Sequence, residues 1–193
     1  AKAVSIHPEG NADSDNAYIT LEYTGQGKEG QSEELTYDYL INATGPKLNF
    51  GATPGLSDGK GGLGEHTVSV CTADHAIHAA LELDACVEKM KKGERQAFLI
   101  GTGHGMCTCQ GAAFEYIFNI EHTLKEKGVR DMADITFITN ESFLGDFGMG
   151  GIHFSMGGYA TSSKVFAESL YAERGMDWIL GAHVNNVEAG KVT

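Results

Sequence analysis

Residues 96–106 read QAFLIGTGHGM, an apolar run that passes directly into a glycine-rich turn. The run over 96–100 has the length and the side chains of a buried strand. A helical pattern over 109–127 follows the turn, and a second apolar run, ITFIT, occupies 135–139. Strand, glycine turn, helix and strand make a βαβ unit, in which a right-handed crossover joins two parallel strands.

The same alternation of helices and strands continues on both sides of this unit. Helical spacing covers 74–92 before it, while a helix over 162–174 and a strand over 177–182 follow it. Residues 1–36 have instead the alternating pattern and the polar, glycine-bearing turns of surface β structure. The sequence therefore predicts an α/β fold: a Rossmann-like three-layer domain with a parallel sheet, plus flanking antiparallel β segments.

Glycine-rich sequence marks a boundary between two parts of the chain. A short strand predicted over 37–43 ends at Thr44-Gly45-Pro46, and 45–64 contains seven glycines and two prolines. Such a composition is typical of a loop or linker. We therefore predict three parts, which are β segments over 1–48, a linker over 49–66 and a Rossmann-like domain over 67–193.

Composition narrows the class of protein. The chain has 193 residues, 41% of them hydrophobic, and a net charge of −12. A surface this acidic predicts no nucleic-acid partner, because no basic stripe is present to neutralise phosphates. The segment shows no signal-peptide pattern and no apolar run of about 18 residues that could cross a bilayer. Four irregularly spaced cysteines favour reactive or buried thiols over structural disulfides.

The glycine turn is close to a dinucleotide-binding fingerprint, but it departs from it at one position. Met106 stands where the third glycine would let the helix pack closely on the strand. Glu141, after the second strand, has the position of an acidic residue that binds a ribose. The pattern favours a Rossmann-type scaffold that has lost nucleotide binding, with NAD binding as the alternative.

Two cysteines lie where the turn becomes a helix. Unpaired N–H groups and the positive end of the helix dipole stabilise a thiolate there, so Cys107 or Cys109 could be reactive. Residues two positions apart do not share a helix face, so at most one of them faces a given cleft. Glu115 follows Cys109 along the helix. The alternative is that both are small residues filling the junction between strand and helix.

The other two cysteines have different settings. Cys71 ends a short β-like run, and His75 lies about one helical turn further on, close enough to act on a thiol as a base. Cys86 lies inside an amphipathic helix and is predicted to be a core thiol. Cysteines and histidines are also zinc ligands, but the paired Cys-x-x-Cys spacing of structural sites is missing, so we predict no metal.

The order of four segments resembles one family of flavoproteins, the sulfide:quinone oxidoreductases. These segments are YDYLINATGPKL at 37–48, CTADHA at 71–76, CQGAAFEY at 109–116 and TFITNE at 136–141. The first resembles the strand end that abuts FAD in proteins with two dinucleotide-binding domains. The next two resemble the first two redox cysteines of the family with their neighbours. The similarity extends over roughly residues 35–190.

The resemblance implies an enzyme that oxidises sulfide through cysteine persulfide chemistry and passes electrons via FAD to a quinone. Cys109 would form the persulfide beside the flavin, and Cys71 would be an accessory cysteine with His75 as its proton partner. Glu115 would be a base near the flavin. The residues implied to contact FAD are Ala43, Thr44, Gly45, Pro46 and Lys47.

Several family features are absent from this sequence. They are the N-terminal glycine loop for the FAD phosphates, a third redox cysteine and the C-terminal quinone and membrane elements. Asp146 also stands where the family has a histidine. We therefore expect a central fragment, inactive and without FAD on its own, from a prokaryotic protein that is cytoplasmic or peripheral at the membrane through its missing C-terminal part. A homodimer is a further expectation.

Two alternative functions stay open at the level of sequence. One is an NADH-dependent flavoprotein similar to type II NADH dehydrogenases, with the glycine turn holding the nucleotide; Met106 and the neighbouring cysteines argue against it. The other is a non-catalytic Rossmann-like binding module. Titration of the full-length enzyme with NADH tests the first alternative, and replacement of Cys109 by Ser tests the second, because unchanged sulfide oxidation would favour a non-catalytic module.

Overall fold

The computed structural model describes residues 1–13, 15–45, 47–60, 62–102 and 110–193. The chain divides into two compact units, residues 1–46 and residues 47–193. Elements of the first unit are the strands β1 (Lys2–His7), β2 (Tyr18–Glu22) and β3 (Ser32–Thr36). The helices and strands of the second unit are α1 (Ala73–Lys91), β4 (Gln96–Gly101), α2 (Gln110–Glu126), β5 (Ala133–Ile138), β6 (His153–Met156), β7 (Tyr159–Ser162), α3 (Ser163–Glu173), β8 (Asp177–Ile179), β9 (Val187–Glu188) and β10 (Lys191–Val192).

The first unit is a three-stranded antiparallel sheet in the order β1-β2-β3. Tyr18 is buried and stacks on His7, with ring centroids 4.3 Å apart. Residues 37–43, all of which are described, form no strand, contrary to the sequence-based prediction. Tyr39 and Ile41 are 93% and 90% exposed there. A strand needs a run of backbone hydrogen bonds to a neighbour, and the described residues supply a single one for this segment, from the N–H of Tyr37 to the carbonyl of Ala17 at 3.1 Å.

A parallel sheet in the order β4-β5-β8 forms the centre of the second unit. Alternate side chains of β5, including Ile135 and Phe137, are buried on one face. They pack against Ile117 and Leu124 of α2 and Tyr171 of α3 in one hydrophobic core. The predicted α/β class, Rossmann-like with a parallel sheet and flanking antiparallel β segments, is confirmed.

Two helices start and stop near their predicted limits because the capping signals are local. Thr72 caps α1, whose last turn contains Lys89 and Lys91 before the left-handed Gly93. Ser162 caps α3 in the same way, with its hydroxyl accepting from the backbone N–H of Val165. The helices predicted over 74–92 and 162–174 therefore agree with the structure to within one residue at each end.

A long loop joins the start of the second unit to α1. A short 3-10 helix, Phe50–Ala52, opens this loop, and Thr53 is buried after it. The carbonyl of Pro54 accepts a hydrogen bond from the N–H of Val187, at 3.0 Å. Any Cβ added at Gly55 would collide with the carbonyl of Val187, so only glycine fits this close approach. Residues near the end of the chain thus hold the loop that leads to Cys71.

Candidate functional site

Cys71 directly precedes the N-terminal cap of α1. Its thiol is free and exposed, and its backbone N–H donates to the hydroxyl of Ser69 at 3.1 Å. The hydroxyl of Thr72 accepts from the backbone N–H of His75 at 3.2 Å and fixes the first turn of the helix. The helix therefore begins where the proposed pairing of Cys71 with His75 requires it to begin.

His75 lies in that first turn and is half-buried. Its ring meets the ring of Phe50 edge to face, with centroids 5.5 Å apart and planes at 61°. Its Nδ1 atom is buried and has no hydrogen-bond partner among the described residues. The described residues also include no hydrogen bond between this ring and the thiol of Cys71. The structure thus brings the two residues to one helix start without forming a bond between them.

Cys107 and Cys109 lie outside the described residues, as does the glycine turn from Gly103 onward. The elements on both sides of the turn are those that the sequence predicts, with β4 ending at Gly101 and α2 beginning at Gln110. Glu115 lies on α2 and is exposed. The strand and the helix between which the sequence places the reactive thiol are therefore both present.

Glu141 follows β5 at the carboxyl edge of the parallel sheet and is buried, with 7% of its surface exposed. Burial raises the pKa of its carboxyl group, whereas hydrogen bonding from the backbone of Phe147 and Gly148 lowers it. Phe147 adopts a positive φ of 55° in this loop. The acidic residue that the sequence singles out for a ribose therefore interacts with the chain's own loop.

Further buried polar atoms lie near the same edge of the sheet. Thr102 follows β4, Gln110 opens α2, Asn140 follows β5, and Tyr171 of α3 is fully buried. Each has a buried side-chain oxygen without a hydrogen-bond partner among the described residues, as has Oε1 of Glu141. In open α/β sheets the carboxyl edge is where ligands bind. Sequence analysis did not find Gln110, Asn140 or Tyr171, although Asn140 directly follows the strand and could have been noticed.

The residues implied to contact FAD lie in an exposed coil of the first unit. Thr44 donates from its N–H and its hydroxyl to Oδ1 of Asn42, at 3.2 and 2.9 Å. Gly45 has a φ of +80°, and a Cβ added there would meet no described atom within 4 Å. The backbone of this turn, which begins after Ala43, is therefore open to close approach by another group. Pro46 lies outside the described residues, and Lys47 is exposed at the start of the second unit.

The described part of the chain holds neither a candidate metal site nor a candidate membrane span. Among the described residues, no three His, Cys, Asp or Glu side chains gather in a group that could hold a metal ion. In the same part of the chain, none of the helices combines the length and the apolar character needed to cross a membrane.

Comparison with known proteins adds two relatives. No protein-family model matches the chain. The sulfide-quinone reductase of Aquifex aeolicus (strain VF5) is 36% identical over 191 residues, which are 99% of this chain and 36% of that protein. The X-ray structure of the sulfide:quinone oxidoreductase from the hyperthermophilic bacterium Aquifex aeolicus matches with a TM-score of 0.61 and 34% identity. That match covers 99% of this chain and 36% of the other.

The parallel sheet and these likenesses define the class: the chain is related to Rossmann-type flavoprotein oxidoreductases. Within that class it is related to the sulfide:quinone oxidoreductases, so the resemblance predicted from its cysteine segments is confirmed. The chain spans 36% of the length of the relatives that it matches. It corresponds to a fragment of such a protein.

Proposed function

We propose that this chain is the central part of an FAD-dependent sulfide:quinone oxidoreductase. In the full-length protein, sulfide would be oxidised at cysteine and its electrons would pass via FAD to a quinone. The observation that carries this proposal is the likeness to sulfide-quinone reductase over 99% of the chain. The exposed, free thiol of Cys71 at the start of α1 supports it, because a thiol that reacts with a small substrate must be accessible.

Cys109 is the residue that would carry the sulfur. When a cysteine thiol and hydrogen sulfide join as a persulfide, one S–S bond forms, and two electrons and two protons leave. When FAD is bound, it supplies the two-electron acceptor. Glu115 would take protons released there, and its exposure lets the carboxylate pass them to water.

The remaining roles follow from position. Cys71 would be an accessory cysteine on the path of sulfide, with His75 one turn away. The exposed turn of Ala43, Thr44 and Gly45, continued by Pro46 and Lys47, would contact FAD. The quinone and the membrane surface would be met by parts of the full-length protein that this chain does not contain. The protein would then be cytoplasmic or peripheral at the membrane of a prokaryote.

Substitution of single cysteines in the full-length, FAD-loaded protein tests the proposal. Cys109→Ser should reduce sulfide-dependent quinone reduction by roughly 10³-fold or more, because the residue that bears the persulfide is lost. Cys71→Ser should reduce it less. Cys86→Ser is the matched control: Cys86 is half-buried, burial raises the pKa of its thiol, and it lies against the hydrophobic core.

The pattern among the three variants decides between the candidate functions. If Cys109→Ser is as active with sulfide as Cys86→Ser, the persulfide role is wrong. A full-length protein that takes electrons from NADH instead of sulfide would favour the NADH-dependent alternative. A protein that is inactive with both donors would favour the non-catalytic binding module.

A further inference from the structure

We propose that Phe50 is a positioning residue for His75, holding the imidazole so that Nδ1 stays enclosed and Nε2 is the nitrogen that exchanges protons with the surroundings. The inference rests on the proposed function, in which His75 is the proton partner of Cys71. It concerns a contact between residues 25 positions apart, which joins the loop before α1 to the first turn of the helix.

The backbone of His75 is fixed first. The hydroxyl of Thr72 accepts a hydrogen bond from the N–H of His75 at 3.2 Å, which fixes the backbone of the first helical turn. With the backbone held, the imidazole can still rotate about two side-chain bonds. A second contact is needed to select one ring orientation.

Phe50 supplies that contact from a turn that is itself held. The N–H of Thr53 donates to the carbonyl of Phe50, and the N–H of Leu56 donates to the carbonyl of Thr53, at 3.4 and 3.1 Å. Thr53 is only 5% exposed, so the end of this turn is anchored in the second unit. The edge-to-face contact at 5.5 Å and 61° is a geometry in which aromatic rings attract each other.

The burial of Nδ1 determines which nitrogen of the neutral ring carries the proton. Nδ1 of His75 is buried without a hydrogen-bond partner among the described residues. A proton on this atom would create a buried N–H donor without an acceptor, which is the more costly of the two neutral forms. The neutral ring therefore carries its proton on Nε2, and proton exchange runs through that atom.

The populations of the two neutral forms test this inference directly. Nitrogen-15 NMR of the imidazole rings in this chain should give a ratio of Nε2–H to Nδ1–H at least about fivefold higher for His75 than for His66. His66 is the internal control because it is an exposed histidine in the loop before α1. Phe50→Ala should bring the two ratios to within about twofold of each other.

Two further variants separate positioning from general damage. Phe50→Tyr keeps the ring and should retain the ratio of His75. Phe154→Ala removes a phenylalanine with a similar ring contact, at 6.1 Å and 61° to Phe166, and should leave His75 unchanged. In the full-length protein, Phe50→Ala should change the shape of the pH profile for sulfide oxidation, and Phe50→Tyr should restore it.

An unchanged ratio for His75 in Phe50→Ala, in a variant that circular dichroism shows to be folded, would overturn the inference. An equal loss of the ratio in Phe154→Ala would also overturn it. The NMR result does not depend on catalysis. If Cys109→Ser keeps full activity while Phe50→Ala shifts the ratio, the proposed function fails and the positioning role stands.

Discussion

Glu141 is a buried acidic side chain at the carboxyl edge of the parallel sheet, followed by the loop that contains Asp146 and Phe147. In a dinucleotide-binding domain, an acidic residue at this position faces the ribose of the ligand. Here backbone N–H groups of Phe147 and Gly148 interact with the carboxylate, and Asp146 receives two more hydrogen bonds, from the N–H groups of Gly148 and Gly150 at 3.0 and 3.4 Å. The loop after β5 thus faces both acidic side chains with its backbone amides.

The burial of Glu141 predicts a specific dependence of stability on pH. Because burial raises its pKa in the folded state, the folded protein binds this proton more tightly than the unfolded chain. Its contribution to stability is therefore complete below the unfolded pKa and is lost as pH rises through the folded pKa. Replacing Glu141 by Gln should remove this loss, so the free energy of unfolding should fall less in the variant as pH rises from about 4.5 towards neutrality.

Urea unfolding of both proteins across this pH range measures the effect. Glu65→Gln is the control, since it removes a carboxylate from an exposed position in the loop. A pH dependence that is the same in Glu141→Gln and in the wild-type protein would contradict the assigned cause.

The positions of single residues were predictable from the sequence where they depend on neighbouring residues alone. Thr72, Cys71 and His75 follow from the capping pattern of one helix, and the structure has them at that helix start. The contact of Phe50 with His75 could not be predicted, because it depends on the path of a loop of more than 20 residues. The positive φ of Phe147, in the loop after Glu141, was not predictable either, because aromatic residues rarely adopt it.

At the scale of elements, the two central strands and three helices were predictable because their periodicity and caps are properties of short sequences. The strand predicted over 37–43 was wrong for a different reason. Its residues have suitable side chains, but a strand needs a continuous ladder of hydrogen bonds, and the described residues provide one bond there, from the N–H of Tyr37 to the carbonyl of Ala17. The side chains of Tyr39 and Ile41 remain exposed as a result.

One buried carboxylate of α2 lies near three basic side chains of the second unit. Glu121 of α2 is 2% exposed and lies 2.6 Å from the ammonium of Lys125. Its carboxylate is also 3.8 Å from the guanidinium of Arg130, after α2, and 3.8 Å from that of Arg174, after α3. Arg130 in turn donates to the carbonyls of Arg174 and Gly175, both at 2.8 Å.

Removing this carboxylate should therefore be costly. Glu121→Ala should lower the free energy of unfolding by about 3 kcal/mol, because it leaves half-buried cations without their counter-charge. Glu126→Ala, which breaks an exposed pair with His122 on the same helix, should cost about 0.5 kcal/mol or less. Urea denaturation followed by circular dichroism measures the free energy of unfolding of both variants. Equal losses of stability would show that the buried charge of Glu121 contributes no more than an exposed ion pair.

At the scale of the whole molecule, the class of fold was predictable from the sequence. Which apolar faces of the helices and the sheet are buried was not predictable. Alternating and helical patterns indicate which residues prefer burial, but only the complete protein decides which faces are covered. Ile77 and Leu81, one turn apart on α1, are 60% and 62% exposed. On the sheet, Leu99 and Ile179 are 43% and 47% exposed. Such apolar surface on a chain that spans 36% of its relatives is typical of an interaction site.

This exposed surface predicts self-association of the isolated chain. Sedimentation velocity should show dimers or larger species that increase with concentration in the range of about 10–100 μM. Combining Ile77→Glu with Leu81→Glu should shift the chain towards the monomer, because charge on the exposed face of α1 opposes its burial. Met149→Glu adds charge at another exposed apolar position and is the control. Dissociation by the control alone would place the interface elsewhere.

The closure of the long loop by the last residues of the chain has a consequence for how damage would spread. Gly55 lies against the carbonyl of Val187, and Pro54 accepts that residue's N–H. The segment that leads to Cys71 is thus held by a residue more than 110 positions further along the sequence. A substitution at Val187 would loosen this segment although Val187 belongs to no helix. Sequence distance is therefore a poor guide to which substitutions are harmless here.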